Sequence, residues 1–282
     1  MTFIDKSIKK IAGVVRSGYI QWDTAEKNGL FQRLDPRVKV IFLLCFIIII
    51  SLLKNIYAEI ALAIFTFASI VLSRLNILYL YKRILLFTFF FGFLIALPSA
   101  FNVITRGEII LPVAMLDKPY RFWIYAIPQE IGITREGWFG VCMLSMRVMN
   151  SLALSLLVMH TTPFFDIIRG LKVIRIPDAI LMIIILSYKY IFILSKTVED
   201  MYLAMKSRMV GRIDSETVRE LVAGRIFFIF ITSRLRYEET YKAMLGRGFS
   251  GEINLVNFRG FTKLDLAAGL IFAAAGIAFI IV

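Results

Sequence analysis

Residues 42–53 read FLLCFIIIISLL, and the apolar run around them, Val38–Leu53, carries one charge, Lys39. A helix needs about 20 mostly apolar residues to cross the hydrocarbon core of a bilayer. Four further stretches approach or meet that length. Residues 56–73 contain one acid, Glu59; 84–105 contain no charge; 138–160 contain Arg147; and 264–282 end the sequence. The break at Lys54-Asn55 is short, so the first two runs are expected to form a tight antiparallel helical hairpin. Ala179–Leu194 is equally apolar but holds Lys189, and Ile226–Thr232 is too short to span.

Composition agrees. Of 282 residues, 59% are hydrophobic and only 19% are charged, and the mean hydropathy is +0.78. Soluble domains are about 45–50% apolar and about 25% charged. A soluble enzyme, a disordered chain and a disulfide scaffold are all disfavoured. The two cysteines, Cys45 and Cys142, lie in separate apolar runs, and His160 is the only histidine. They form no zinc or CxxC spacing, so no metal site is expected in this chain. The net charge of +13 fits a membrane protein with basic cytoplasmic segments and does not call for nucleic acid. No cleavable signal peptide is visible. Phe3, Ile4, Ile8, Ile11, Val14 and Val15 share a broad helical face, as in a helix lying at the headgroups.

Loop charges set an expected topology. Residues 1–39 carry eight basic and four acidic groups; 74–83 carry Arg74, Lys82 and Arg83 without an acid; 100–137 are neutral, with four of each sign. Residues 160–177 are basic, and 196–263 carry twelve basic against eight acidic groups. The positive-inside rule therefore puts the N-terminus, 74–83 and 160–177 inside and 100–137 outside, folded back on the surface with a hairpin or as an irregular connector. If 179–194 crossed, the basic 196–263 region would lie outside. The consistent solution is five spans, with 179–194 running on as a long cytoplasmic helix to about Val210 and 218–247 forming a second such helix or a broken pair. Three regions follow: 1–160 with an amphipathic lead-in and four spans, 161–263 cytoplasmic, and 264–282 the final span.

An internal repeat lies in the cytoplasmic region. Ala204-Met205-Lys206-Ser207-Arg208-Met209 recurs as Ala243-Met244-Leu245-Gly246-Arg247-Gly248, offset by 39 residues, each copy at the end of an expected long helix and preceded by acids. Arginine at a helix end presents a planar fork suited to carboxylates or carbonyls, and small neighbours permit close docking. The alternative is a helix C-cap, with arginine favouring the dipole and glycine following. Both remain open. Arg147 sits mid-span, where a charge must find a partner inside the bundle, Glu59 or Asp178. Asp35 and Pro36 suit the N-cap and first position of the first span, with Arg37 and Lys39 as headgroup anchors. Thr162 and Pro163 suit the start of a helix after the fourth span. There is no GxxxxGK[ST] phosphate loop, and no matched pair of broken apolar halves of the kind secondary carriers show.

LDPRVK before the first span, TTPFF after the fourth, and two cytoplasmic helices ending in A-M-x-x-R resemble the T component of energy-coupling-factor (ECF) transporters. The stretch Gly29–Arg37, GLFQRLDPR, is most similar to the cobalt-type CbiQ subfamily. The resemblance implies an all-α membrane scaffold of about five transmembrane helices plus long cytoplasmic coupling helices. Such a scaffold has no catalytic site. It joins a substrate-binding membrane subunit to two cytoplasmic ABC-type ATPases, which bind the ATP. The family's Ala-Arg-Gly motifs map onto Gly246-Arg247-Gly248, with glycine for alanine, and onto Ser207-Arg208-Met209, which departs at two positions. Cobalt or nickel uptake across the cell's inner membrane is the implied activity. A vitamin-type T component and a stand-alone secondary carrier are the rivals.

Overall fold

The computed structural model describes residues 13, 29–102, 104–105, 107–115, 120–122, 125–127, 130–208, 215–249 and 260–281. The amphipathic lead-in expected before residue 29 lies largely outside them. The chain divides into two compact units, one of Thr24–Pro163 with Gly260–Val282 and one of Met1–Asp23 with Phe164–Arg259.

The first unit is a helical bundle. Helix α1 (Pro36–Leu52) starts as the sequence implies: the Asp35 carboxylate accepts from the Arg37 backbone N–H at 2.8 Å, and Pro36 takes the first position. Helix α2 (Ile56–Leu72) is capped by Asn55, and α3 (Ile77–Phe87) by Asn76. Without a break, α3 runs on through a π-helical stretch, Thr88–Leu94, towards a 3-10 turn, Leu97–Ala100, that contains Pro98. Strands β1 (Ile109–Met115) and β4 (Glu130–Thr134) pair antiparallel and enclose a second antiparallel pair, β2 (Tyr120–Phe122) and β3 (Tyr125–Ile127). This is the hairpin foreseen in the neutral connector. Helix α4 (Arg135–Thr161) follows, capped by the Thr134 hydroxyl on Gly137 N–H at 3.1 Å.

The other unit holds α5 (Phe164–Leu171), α6 (Asp178–Arg208) and α7 (Ser215–Gly246), the last a single helix rather than a broken pair. Helix α8 (Lys263–Ile281) returns to the bundle. At its start the Asp265 carboxylate reaches back to Thr262, accepting from Thr262 N at 2.9 Å and Thr262 Oγ1 at 2.6 Å.

Helix α4 packs against α1, α2 and α3, while α1 also packs against α8. The core between them holds Leu62, Ile70, Ile84, Leu154 and Leu157, all fully buried. A cluster of phenylalanines fills the rest: Phe42 lies 4.2 Å from Phe272 and Phe46 stacks on Phe65 at 5.7 Å, centroid to centroid. These rings correct the expected tight hairpin. Each of α1 and α2 packs more closely on α4 than on the other, and Phe42 and Phe46 bridge to Phe65 across the gap. Hydroxyls of Thr66, Ser69 and Ser73 bond carbonyls of their own helix, so none is left bare in an apolar setting.

The third span also differs from expectation. The helix covers 77–94 rather than 84–105, because Asn76 caps it early and Pro98 ends it. Lys82 and Arg83 therefore sit on the helix, not in a loop, and such long stems reach the interface by snorkelling. Among the described residues, Ile77–Leu94, α4, α6 and α8 are long and apolar enough to cross a membrane, and α2 is a shorter apolar helix of 17 residues. The chain is an all-α, multi-pass membrane protein.

Gly137 marks the tightest helix start. A Cβ there would lie 2.6 Å from the Ser99 carbonyl oxygen and 2.9 Å from Ala100 Cα. Gly137→Ala is expected to destabilise the bundle by about 1–3 kcal/mol, the usual cost of overpacking, read as a lower unfolding midpoint in detergent.

Candidate functional site

The repeat motifs fall where the sequence placed them, at helix ends. Arg208 is the last residue of α6 and is exposed, as are Ala204 and Ser207; Met209 lies outside the described residues. Arg247 follows α7 directly, and Ala243, Gly246, Arg247 and Gly248 are all exposed. Gly248 adopts φ +81°, Phe249 N–H reaches Met244 O at 3.1 Å, and Gly248 N–H reaches Leu245 O at 3.0 Å. This is a Schellman end, in which only glycine sits without strain at the left-handed position. Backbone amides close the helix, so capping does not require the Arg247 guanidinium. The two sequence readings thus separate: glycine makes the cap and arginine is left to project. A Cβ at Gly246 would meet nothing within 4 Å.

Two side-chain bonds hold α6 to α7. Tyr190 Oη and Thr240 Oγ1 share a hydrogen bond of 2.7 Å, and Arg236 Nη1 donates to Thr197 Oγ1 at 3.3 Å. As α6 advances from Tyr190 to Thr197, α7 recedes from Thr240 to Arg236, so the pair cross in an antiparallel sense. Thr197 and Arg236 are themselves 39 residues apart, the offset of the repeat. Thr197 to Arg208 and Arg236 to Arg247 are therefore both eleven residues, about 16 Å of helix. The motifs end two arms of equal length. The sequence reading missed Tyr190, Thr197, Arg236 and Thr240; extending the repeat backwards from the motifs would have aligned Thr197 with Arg236. On α5, Phe164 stacks on Tyr188 of α6 at 4.0 Å.

Inside the bundle, Arg147 meets Glu59: Nε stands 3.5 Å from Oε1. Glu59 is fully buried, and its other oxygen accepts from Asn150 Nδ2 at 2.8 Å. Arg147 Nη2 also donates to the carbonyl of Leu53, at the end of α1. One guanidinium thus ties α4 to both sides of the turn between α1 and α2. The other partner considered, Asp178, pairs with Lys172 at 3.1 Å instead.

Lys39 is a correction. It is not a headgroup anchor: it is 2% exposed, and Nζ donates to the Thr161 carbonyl and the Thr162 hydroxyl, each at 3.1 Å. Thr162 is the C-cap of α4, and α5 begins at Phe164, one residue later than foreseen. Asp265 Oδ1 accepts from Asp35 N–H at 2.8 Å, and the Arg37 guanidinium lies 5.5 Å from the Phe261 ring centroid. Cys45 and Cys142 are both free thiols. Among the described residues no group of three or more histidine, cysteine or acidic side chains could hold a metal ion.

A bundle of apolar helices with internally paired charges, four of the described helices being long and apolar enough to cross a bilayer, defines a multi-pass membrane protein. Residues 27–256 match the family model of CbiQ, described as cobalt transport protein, and the chain belongs to that family. It is 28% identical to an uncharacterized protein of Methanocaldococcus jannaschii, covering 95% of this chain and 88% of that one. It is 25% identical to the energy-coupling factor transporter transmembrane protein EcfT of Exiguobacterium sibiricum, over 89% and 93% of the two chains. The EcfT of Bacillus subtilis is 26% identical, over 82% and 85%.

Removing one member of a buried ion pair costs about 3–5 kcal/mol, whereas replacing both by apolar groups is close to neutral. Arg147→Met is expected near the lower end, its side chain being 30% exposed. Glu59→Met/Arg147→Met should recover most of that loss, as measured by unfolding in detergent.

Proposed function

We propose that this chain is the T component of an ECF importer: a non-catalytic scaffold that couples two cytoplasmic ABC-type ATPases to a substrate-binding membrane subunit. The observation that carries the reading is the crossed α6–α7 pair, whose equal arms end in exposed Arg208 and Arg247. Two equivalent ends suit two related ATPases, and ATP would bind to those partners. Closure of the ATPases would move the arms and reorient the substrate-holding subunit. Cobalt or nickel is the proposed cargo, supported by the description of the matching family. The metal would be recognised in the partner, since Cys45 lies on α1 while Cys142 and His160 stand eighteen residues apart on α4, about 27 Å of helix; Co²⁺ and Ni²⁺ favour imidazole and similar donors. A second reading, a T component shared among several binding subunits, is favoured by the likeness to proteins named EcfT. A gene for a metal-binding membrane subunit beside this one distinguishes the first.

The membrane is the cell's inner, plasma membrane, with the N-terminus inside. The basic balance of 196–263 keeps α6 and α7 on the cytoplasmic side, although α6 has the length and composition of a span. A single cysteine introduced at Ser215 should react with a membrane-impermeant maleimide only from the cytoplasmic face. Labelling from outside would mean that α6 crosses.

Complexes purified through a tag on this chain should retain ATPase subunits. Truncating one partner of a buried, hydrogen-bonded charge pair costs about 2–5 kcal/mol in an interface, whereas an exposed charge at a helix end contributes about 0.3–1 kcal/mol. Arg247→Ala should release an ATPase while the bundle stays folded. Arg247→Lys should rescue in part, lacking the planar fork, and Arg208→Ala should have a smaller effect. Full retention and ATP-driven uptake in the double Arg208→Ala/Arg247→Ala variant would overturn the coupling role.

A further inference from the structure

The chain leaves the bundle after Pro163 and re-enters it at Gly260. Both junctions are fastened to the same five residues, Asp35–Lys39, at the start of α1. At the exit, Lys39 Nζ holds the last carbonyl of α4, that of Thr161, and the hydroxyl of its C-cap, Thr162. At the re-entry, Asp265 uses one carboxylate oxygen to cap Thr262 and the other to accept from Asp35 N–H, and Arg37 lies against Phe261. Thr161 and Thr162 are buried together with Asp35, Lys39 and Asp265. Hydrogen bonds to charged groups are the strong ones, and burial removes the water that would otherwise replace them.

We infer that Asp35–Lys39 is the pivot of this subunit, with Lys39 and Asp265 as positioning residues that pass movement of the 164–259 segment into α1, α4 and α8. The inference rests on the coupling function proposed above. The chain joins that segment to the bundle at these two points, and each is tied to the first turn of α1. A lysine serving only to stabilise a helix end would not need the second junction fastened to the same turn. With the pivot intact, an ATP-driven change at the arms alters the bundle as one body. With it cut, the arms move and the bundle does not respond.

The test uses the whole complex purified from membranes, in three states: without nucleotide, with ATP, and with ATP plus vanadate. Backbone hydrogen exchange is followed over residues 36–42 and 263–269, together with ATP hydrolysis. Lys39→Met and the isosteric Thr162→Val should keep their ATPase subunits and hydrolyse ATP within about twofold of wild type, while the nucleotide-dependent change in exchange falls at least about fivefold, the lower end of typical site-to-site coupling. Thr162→Ser, which keeps the hydroxyl, should behave as wild type. A nucleotide response that persists in both variants overturns the pivot, as does a parallel fall of stability, hydrolysis and response, which marks a purely structural bond. A wild-type chain that retains no ATPase overturns the coupling reading itself, a result distinct from either.

Discussion

Arg147 is the group on which the bundle turns. An arginine in hydrocarbon cannot borrow hydrogen bonds from water, so the helices must be arranged to supply them. Glu59 in the first turn of α2 and the Leu53 carbonyl at the end of α1 both face it. Sequence order alone would let α1 and α2 fold together as a pair. The charge instead draws α4 alongside the turn between them. Farther along, Lys39 meets Thr161 and Thr162. From Lys39 to Leu53 and from Arg147 to Thr161 are both fourteen residues, about 21 Å of helix. Helices α1 and α4 are therefore antiparallel and pinned at both ends by cations, with apolar packing between the pins.

The second unit follows a different logic. Helix α7 carries Ile226, Phe227, Phe228 and Phe230 exposed, and α6 buries only Leu181 and Met205. Such helices gain little from a private core, and most helical stability in proteins comes from packing. What orders α6 and α7 is their crossing at Tyr190–Thr240 and Thr197–Arg236, together with the aromatic contact that Tyr188 offers to α5.

Much of this was legible in the sequence because length, hydropathy and capping are local properties. Asp35-Pro36 at the start of α1, the long helices ending at Arg208 and Gly246, and the Arg147–Glu59 pair all follow from rules that act within a few residues or from the cost of a lone charge. The misreadings have one cause. Lys39 looks like an interfacial anchor because position along the chain does not reveal what stands opposite; Thr161 lies 122 residues away. The start of α3 is masked in the sequence because Lys82 and Arg83 read as loop charges although they lie within the helix. The arginine motifs were visible, but the crossing that makes their arms equal depends on side chains of ordinary composition such as Thr197 and Thr240. The family match supports the transport role, while nothing in the chain's own residues names a cargo.

The π-helical stretch Thr88–Leu94 fits one more residue into a turn than an α-helix would. Each residue of α-helix rotates the chain by about 100°, so the stretch sets the azimuth of everything that follows it before the next cap. Gly92 sits inside it, where a Cβ would stand 3.0 Å from Ser145 Cα of α4. Loss of a single residue here would leave hydropathy and helix content nearly unchanged. It would nonetheless turn the route to Pro98 and the β-hairpin by about a quarter of a revolution. Sequences of this family should therefore tolerate exchange among Phe89, Phe90 and Phe91 far better than a gap between Thr88 and Leu94. The length of that segment, rather than its letters, is what selection would hold fixed.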